Sequence, residues 1–161
     1  MTVNDYNSCV NQHADAVYRF ILKNIRDKEK ARDLVQDSFE KLWMNVDQVA
    51  AGKAKSYLFT TAYHKMIDQT RQDKRMAAWD DAHTMSWSHS EHYSDAMEKL
   101  NQGVTRLPSD QRSVLMLRDY EGYSYKEIAE ITGLTEAQVK VYIYRARVFL
   151  KEYIGSIEVL V

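Results

Sequence analysis

The sequence predicts an all-α protein made of two small helical domains joined by a linker. Three observations carry that prediction. Apolar residues recur at helical spacing through most of the 161 residues. Five glycines and one proline are too few to punctuate a strand-rich chain. No run of strict apolar–polar alternation, the mark of a half-buried strand, stands out. With 45% hydrophobic residues the chain can bury one core or two small ones.

The elements follow in order. A first helix is expected over residues 5–25, with Val10, Val17, Phe20 and Leu22 among its apolar positions. A second is expected over 27–46, where Ala31, Val35, Phe39, Leu42 and Val46 keep helical spacing and Asp27 is a suitable N-cap. A loop at 49–55 precedes a third helix over 56–76. Residues 77–94 lose the period and are rich in Ser, His, Asp and Trp, which predicts an interdomain linker, with Trp79 and Trp87 able to dock on a neighbouring surface. Met97, Leu100, Val104 and Leu107 then mark a fourth helix. Pro108-Ser109 breaks it and opens a fifth over 109–120. The expected domains are therefore 1–76 and 95–161.

Composition narrows the function. Lys and Arg number 22 against 23 Asp and Glu, so any positive patch must be local and balanced by acidic surface elsewhere. Cys9 is the only cysteine, so no intrachain disulfide can form, which suits a reducing cytosol. The first residues are polar, without a basic segment leading into an apolar one, and no apolar run reaches the roughly 20 residues a membrane span needs. The expectation is a cytoplasmic chain without membrane insertion.

The segment 123–151 has the marks of a helix-turn-helix. Ser124-Tyr125-Lys126-Glu127 is a capping box, with Tyr123 and Ile128 at the staple positions around it. Thr135-Glu136-Ala137-Gln138 repeats the arrangement, with Leu134 and Val139 as its staple. Between them Gly133 can take the left-handed conformation that ends a helix. Two helices around a short Gly-containing turn make the DNA-binding motif. On the second helix Val139, Ile143, Ala146 and Leu150 share one side, which faces the core. The opposite side carries Lys140, Val141, Tyr144, Arg145 and Val148, with Gln138 at its edge, while Arg147 and Lys151 add to the basic character of the helix. N-terminal residues of such a helix meet base edges: Gln138 can pair with adenine, Lys140 with guanine, and Val141 can meet a thymine methyl. The plainer reading is a solvated face, which exposed Val141 and Tyr144 amid cations fit poorly.

The third helix carries a different signal. Phe59, Ala62, Tyr63, Met66 and Ile67 form its expected core face. Tyr57, Thr61, His64, Lys65, Asp68, Arg71 and Arg75 lie on the other, with Lys53 and Lys55 upstream and Lys74 downstream. Cations interleaved with aromatic rings suit single-stranded DNA, whose bases stack while its phosphates follow the charge. A mixed-charge face is also what a merely solvated helix shows.

Together these pieces resemble the small bacterial sigma factors of the extracytoplasmic-function (ECF) class, over nearly the full length. Ala31-Arg32-Asp33-Leu34-Val35-Gln36-Asp37-Ser38-Phe39 is similar to the region 2.2 signature. Ser56-Tyr57-Leu58 through Ala62-Tyr63-His64-Lys65-Met66-Ile67-Asp68-Gln69-Thr70-Arg71 is similar to the region 2.3–2.4 helix. Leu107-Pro108, Tyr125-Lys126-Glu127-Ile128-Ala129 and Tyr144-Arg145-Ala146-Arg147 match region 4.

The resemblance implies that residues 1–76 are sigma region 2 and 95–161 sigma region 4. Its partners would be core RNA polymerase (the β′ clamp through region 2, the β flap through region 4), promoter DNA and an anti-sigma factor. Asp33, Gln36 and Asp37 would meet the β′ clamp, where acids can face basic partner residues. The 49–55 loop would capture a flipped base of the −10 element, beside Lys53, Lys55, Tyr57, Thr61, His64, Lys65, Arg71 and Arg75. His64 stands where the family usually has asparagine, and a histidine there can stack or donate. Thr135, Glu136, Gln138, Lys140, Val141, Tyr144 and Arg145 would read the −35 element as duplex. No cofactor, metal or catalytic residue is implied.

Magnitudes also call for a partner. Opening about ten base pairs at roughly 1.4 kcal/mol per step costs on the order of 14 kcal/mol. One or two captured bases return about 1–3 kcal/mol each by stacking. Two other readings compete. A stand-alone dimeric helix-turn-helix regulator would carry a receiver or ligand domain where residues 31–75 stand, and a receiver needs strands alternating with helices. A metal enzyme using His83, His89 and His92 would need organised ligands, whereas these histidines fall in the expected linker.

Overall fold

The computed structural model describes residues 1–77 and 95–158, and among them no strand occurs. The segment 78–94, on which Trp79, Trp87, His83, His89, His92 and nearly all of the expected linker fall, lies outside the described residues. Two compact units are present, one of Met1–Lys74 with Glu130–Gly133, the other of Arg75–Ala129 with Leu134–Val161.

The first unit is built on α1 (Val3–Ile25), α2 (Lys28–Met44) and α3 (Ala54–Ala77). Thr2 starts α1 with a capping box: its hydroxyl accepts from the Asp5 N–H at 3.1 Å and the Asp5 carboxylate accepts from the Thr2 N–H at 2.9 Å. The helix ends at Arg26, left-handed at φ 62, whose N–H donates to the Leu22 carbonyl. Asp27 then caps α2, accepting from the N–H groups of Glu29 and Lys30. One residue closes one helix and the next opens another, so α1 and α2 form a tight hairpin. Val17, Phe20, Ile21, Ala31, Leu42, Leu58, Phe59, Ala62 and Met66 are buried. Phe20 meets Phe59 edge to face, with centroids 5.6 Å apart, which pins α1 to α3. Ser38 sits in this core at little cost because its hydroxyl donates to the Leu34 carbonyl at 2.7 Å.

In the second unit, α4 (Asp95–Arg106), α5 (Ser109–Leu115), the first residues of α6 (Tyr125–Thr132) and α7 (Glu136–Glu158) carry the chain. Val104, Leu107, Leu115, Ala146 and Leu150 form a common core, with Leu100 against it. Gly103 explains the close approach of α4 to α7: a Cβ there would stand 2.9 Å from Leu150 Cδ2 and 3.0 Å from Tyr153 Cδ1. Glycine inside a helix costs about 1 kcal/mol, which the tight packing offsets.

Arg112 is 7% exposed and holds the end of α4. Its guanidinium donates to the carbonyls of Val104 at 3.1 Å, Thr105 at 3.0 Å and Leu107 at 2.6 Å. A helix leaves its last four carbonyls unpaired, and Pro108, which follows directly, has no N–H to offer them. The arginine supplies donors to the Thr105 and Leu107 carbonyls and a second one to Val104, which also accepts from the Leu107 N–H at 3.2 Å.

Several expectations change in detail. Helix α2 stops at Met44, leaving Val46 outside it. Helix α3 starts two residues early, at Ala54, after a 3-10 turn over Ala51–Lys53. Met97, one of the residues that mark the fourth helix, is 53% exposed, and burial is carried by Val104 and Leu107 nearer the helix end. The expected fifth helix divides at Leu115 and continues as a π-turn over Met116–Tyr120, its widened ring closed by the Glu121 N–H on the Met116 carbonyl.

Candidate nucleic-acid interface

Both expected capping boxes of the helix-turn-helix are formed. The Glu127 N–H donates to Ser124 Oγ and the Ser124 N–H to Glu127 Oε1, each at 3.1 Å. The Gln138 N–H donates to Thr135 Oγ1 at 3.1 Å and the Thr135 N–H to Gln138 Oε1 at 2.9 Å. Gly133 has φ +78, as the turn requires. Tyr123, Ile128 and Val139 are buried at their staple positions.

These caps set the faces of α7. Val139, Ile143, Ala146 and Leu150 are buried. Thr135, Glu136, Gln138, Lys140, Val141, Tyr144 and Arg145 are all exposed. Tyr144 is 70% exposed and Val141 43%. Two side chains differ from expectation. Gln138 Oε1 also accepts from Thr135 Oγ1 at 3.2 Å, so both its lone pairs serve the cap. Bidentate pairing with adenine needs that oxygen, so as placed Gln138 offers a base only its NH₂ group. Arg147, counted with the basic residues of the helix, is instead forked onto Asp119 at 3.3 and 2.5 Å, and this contact raises its pKa above the ordinary arginine value.

In the first unit an open pocket of 510 Å³ is lined by Asn45, Gln48, Val49, Ala50, Lys53, Ser56, Tyr57 and Thr60. It stands where α2 ends, the 49–55 loop passes and α3 begins. Asn45 Nδ2 donates to Tyr57 Oη at 3.1 Å and fixes the ring as one wall. Lys53 is exposed, while Lys55 is half-buried with its ammonium 5.9 Å from the Phe59 ring centroid. His64, Arg71 and Arg75 are exposed on α3 and Lys65 is half-buried. His64 meets the buried Tyr63 ring edge to face at 5.6 Å. Thr61 is the exception to the expected outer face, being only 7% exposed. It lies two turns after buried Ala54 and one turn after buried Leu58, on the edge of the core side.

Asp33, Gln36 and Asp37 are exposed together on α2, one helical turn apart and opposite buried Ala31, Leu34 and Phe39. Glu40 continues the stripe, and Met44, 76% exposed, ends it.

Comparison with known proteins finds a match for each half of the chain. Residues 9–76 match the family Sigma-70 region 2, and residues 97–150 match Sigma-70, region 4. The chain belongs to the ECF sigma factors of bacterial RNA polymerase. It is 30% identical over 142 residues to the RNA polymerase sigma factor SigV of Bacillus subtilis, covering 86% of this chain and 84% of that protein. It is 31% identical over 140 residues to the ECF RNA polymerase sigma factor SigM of the same organism, covering 84% and 86%. Among solved structures, the sigma factor RpoE of Bartonella quintana, in complex with the anti-sigma factor NepR, aligns with TM-score 0.81 and 26% identity over 95% of this chain and 98% of that one.

Sigma factors direct polymerase to promoters and are regulators rather than catalysts. No described helix of this sigma factor is long and apolar enough to cross a membrane. Sequence reasoning missed Asn45 and Arg112. Asn45 lies outside the regular period of α2, where only the loop and α3 give it meaning. Arg112 reads as surface because arginine is seldom buried.

Proposed function

We propose that residues 1–76 hold core RNA polymerase through Asp33, Gln36 and Asp37 and capture a −10 base, while residues 95–161 anchor the −35 duplex through α7. The observation that carries this is the pocket at Asn45–Thr60. A stand-alone duplex reader has no use for an open groove with a tyrosine wall where α2, the 49–55 loop and α3 meet. Tyr57 offers a face on which an extruded base can stack, Gln48 offers its amide to the base edge, Asn45 offers only its carbonyl oxygen because its NH₂ group is held by the Lys41 carbonyl and the Tyr57 hydroxyl, and Lys53 offers charge to its phosphate. Exposed His64, Arg71 and Arg75 continue the track along α3. Partly buried Lys55 and Lys65 contribute charge at its border, and Thr61 acts through packing. Lys140, Val141, Tyr144 and Arg145 supply the duplex contacts, with Thr135, Glu136 and Gln138 presenting the start of α7. The protein works in the cytoplasm, where core polymerase is. The likeness to a sigma factor solved with its anti-sigma factor supports an inhibitor of that class as a further partner.

The two faces are separable by mutation. Tyr57→Ala removes stacking worth about 1–3 kcal/mol per base. It is expected to lower permanganate reactivity of −10 thymines in the holoenzyme complex by roughly 5- to 150-fold, with −35 protection kept. Lys140→Ala is expected to flatten the preference for one −35 base pair by about 1–3 kcal/mol, with polymerase binding intact. Loss of −35 protection in Tyr57→Ala, or of polymerase binding in Lys140→Ala, would contradict this division of labour.

A further inference from the structure

The side chain of Lys140 does not project alone. Its ammonium lies 5.7 Å from the ring centroid of Tyr125 and 3.9 Å from the Glu136 carboxylate. Tyr125 is the first residue of α6, seated by the Ser124–Glu127 capping box. Its ring carries a second cation, the Arg118 guanidinium at 4.7 Å. Arg118 is itself tied down, donating to the Tyr123 carbonyl at 2.9 Å. The ring therefore sits on a fixed seat and is braced by an anchored arginine, while a lysine from the next helix rests on it.

Lysine has a flexible four-carbon stem and pays rotamer entropy for each fixed contact. Held against an aromatic face within about 6 Å, it pays part of that cost before DNA arrives. Glu136, one turn away on the same helix, competes for it as an exposed ion-pair partner. Without the ring, the ammonium is left to Glu136 and to solvent.

We propose that Tyr125 is a positioning residue for base readout: its ring, braced by Arg118, directs Lys140 toward one base edge in the major groove and so sets part of the −35 preference. The inference rests on the reading of α7 as the duplex reader. It assigns a specificity role to a residue on the other helix of the motif.

The test uses the full-length protein with core polymerase on a promoter library randomised across the −35 element. The base pair read by Lys140 is the one whose preference flattens in Lys140→Ala. Tyr125→Leu is expected to weaken preference at that same base pair about two- to fivefold, equivalent to roughly 0.5–1 kcal/mol, with the other positions unchanged. Tyr125→Phe keeps the ring under Lys140, loses only the hydroxyl's hydrogen bond to Arg147, and is expected to keep the preference. In the Lys140→Ala background, Tyr125→Leu is expected to add nothing at that position. A uniform loss across all positions, additive with Lys140→Ala, would make Tyr125 a backbone contact or a structural residue and overturn the proposal alone. If Lys140→Ala changes no base preference, the reading of Lys140 as a base contact fails and the inference falls with it.

Discussion

Arg112→Met is expected to destabilise the second unit by about 3 kcal/mol. The substitution keeps most of the volume and removes the donors. A buried carbonyl that loses its donor costs roughly 1–3 kcal/mol, and Arg112 donates to the buried Leu107 carbonyl, to the part-buried Thr105 carbonyl and to the Val104 carbonyl, which keeps the Leu107 N–H. Part of that loss is offset because the charged guanidinium no longer has to be desolvated. Pro108 cannot take over, having no N–H. A unit of this size has little stability to spare, so its melting temperature should fall by more than about 10 °C. Thermal unfolding followed by circular dichroism checks this. Arg112→Lys, which keeps a charge but loses the fork, should fall between. An unchanged transition in Arg112→Met would mean that water or backbone rearrangement caps α4 equally well.

Asp37→Arg is expected to leave the fold intact and to weaken binding to core polymerase by about a hundredfold or more. Asp37 is exposed on α2, and surface substitutions away from special contacts usually change stability by about ±0.5 kcal/mol. At an interface the same change places like charges together if the partner surface is basic, which costs several kcal/mol, and about 1.4 kcal/mol is tenfold in affinity. A fluorescence titration against core polymerase measures the loss, and a melting curve controls for folding. Asp37→Asn should show a smaller loss, because it removes attraction without adding repulsion. Wild-type affinity in Asp37→Arg would remove the Asp33–Asp37 stripe from the polymerase interface.

Features set by local chemistry were legible in the residues. The boxes at Ser124 and Thr135, the cap at Asp27 and the left-handed Gly133 each need only a few neighbours, and all are formed. The two sides of α7 followed from helical periodicity for the same reason. Features that depend on elements meeting were not legible. Thr61 looked polar and outward, and its burial is set by its alignment with Ala54 and Leu58 on the core edge of α3. The Asn45–Tyr57 pocket joins the end of one helix, a loop and the start of another. Arg147 stood among the basic residues of α7 until the π-turn placed Asp119 beside it. Gln138 carried two expected roles, cap and base contact, and the cap takes the oxygen that both require.

Run-off transcription with core polymerase on a library of randomised promoters tests the central claim most directly. Addition of this protein is predicted to yield transcripts that start at a fixed distance from two recovered elements, one read as duplex and one opened. Absence of promoter-dependent transcript, with tight duplex binding by a dimer of the protein alone, would contradict the account and leave a stand-alone regulator in its place.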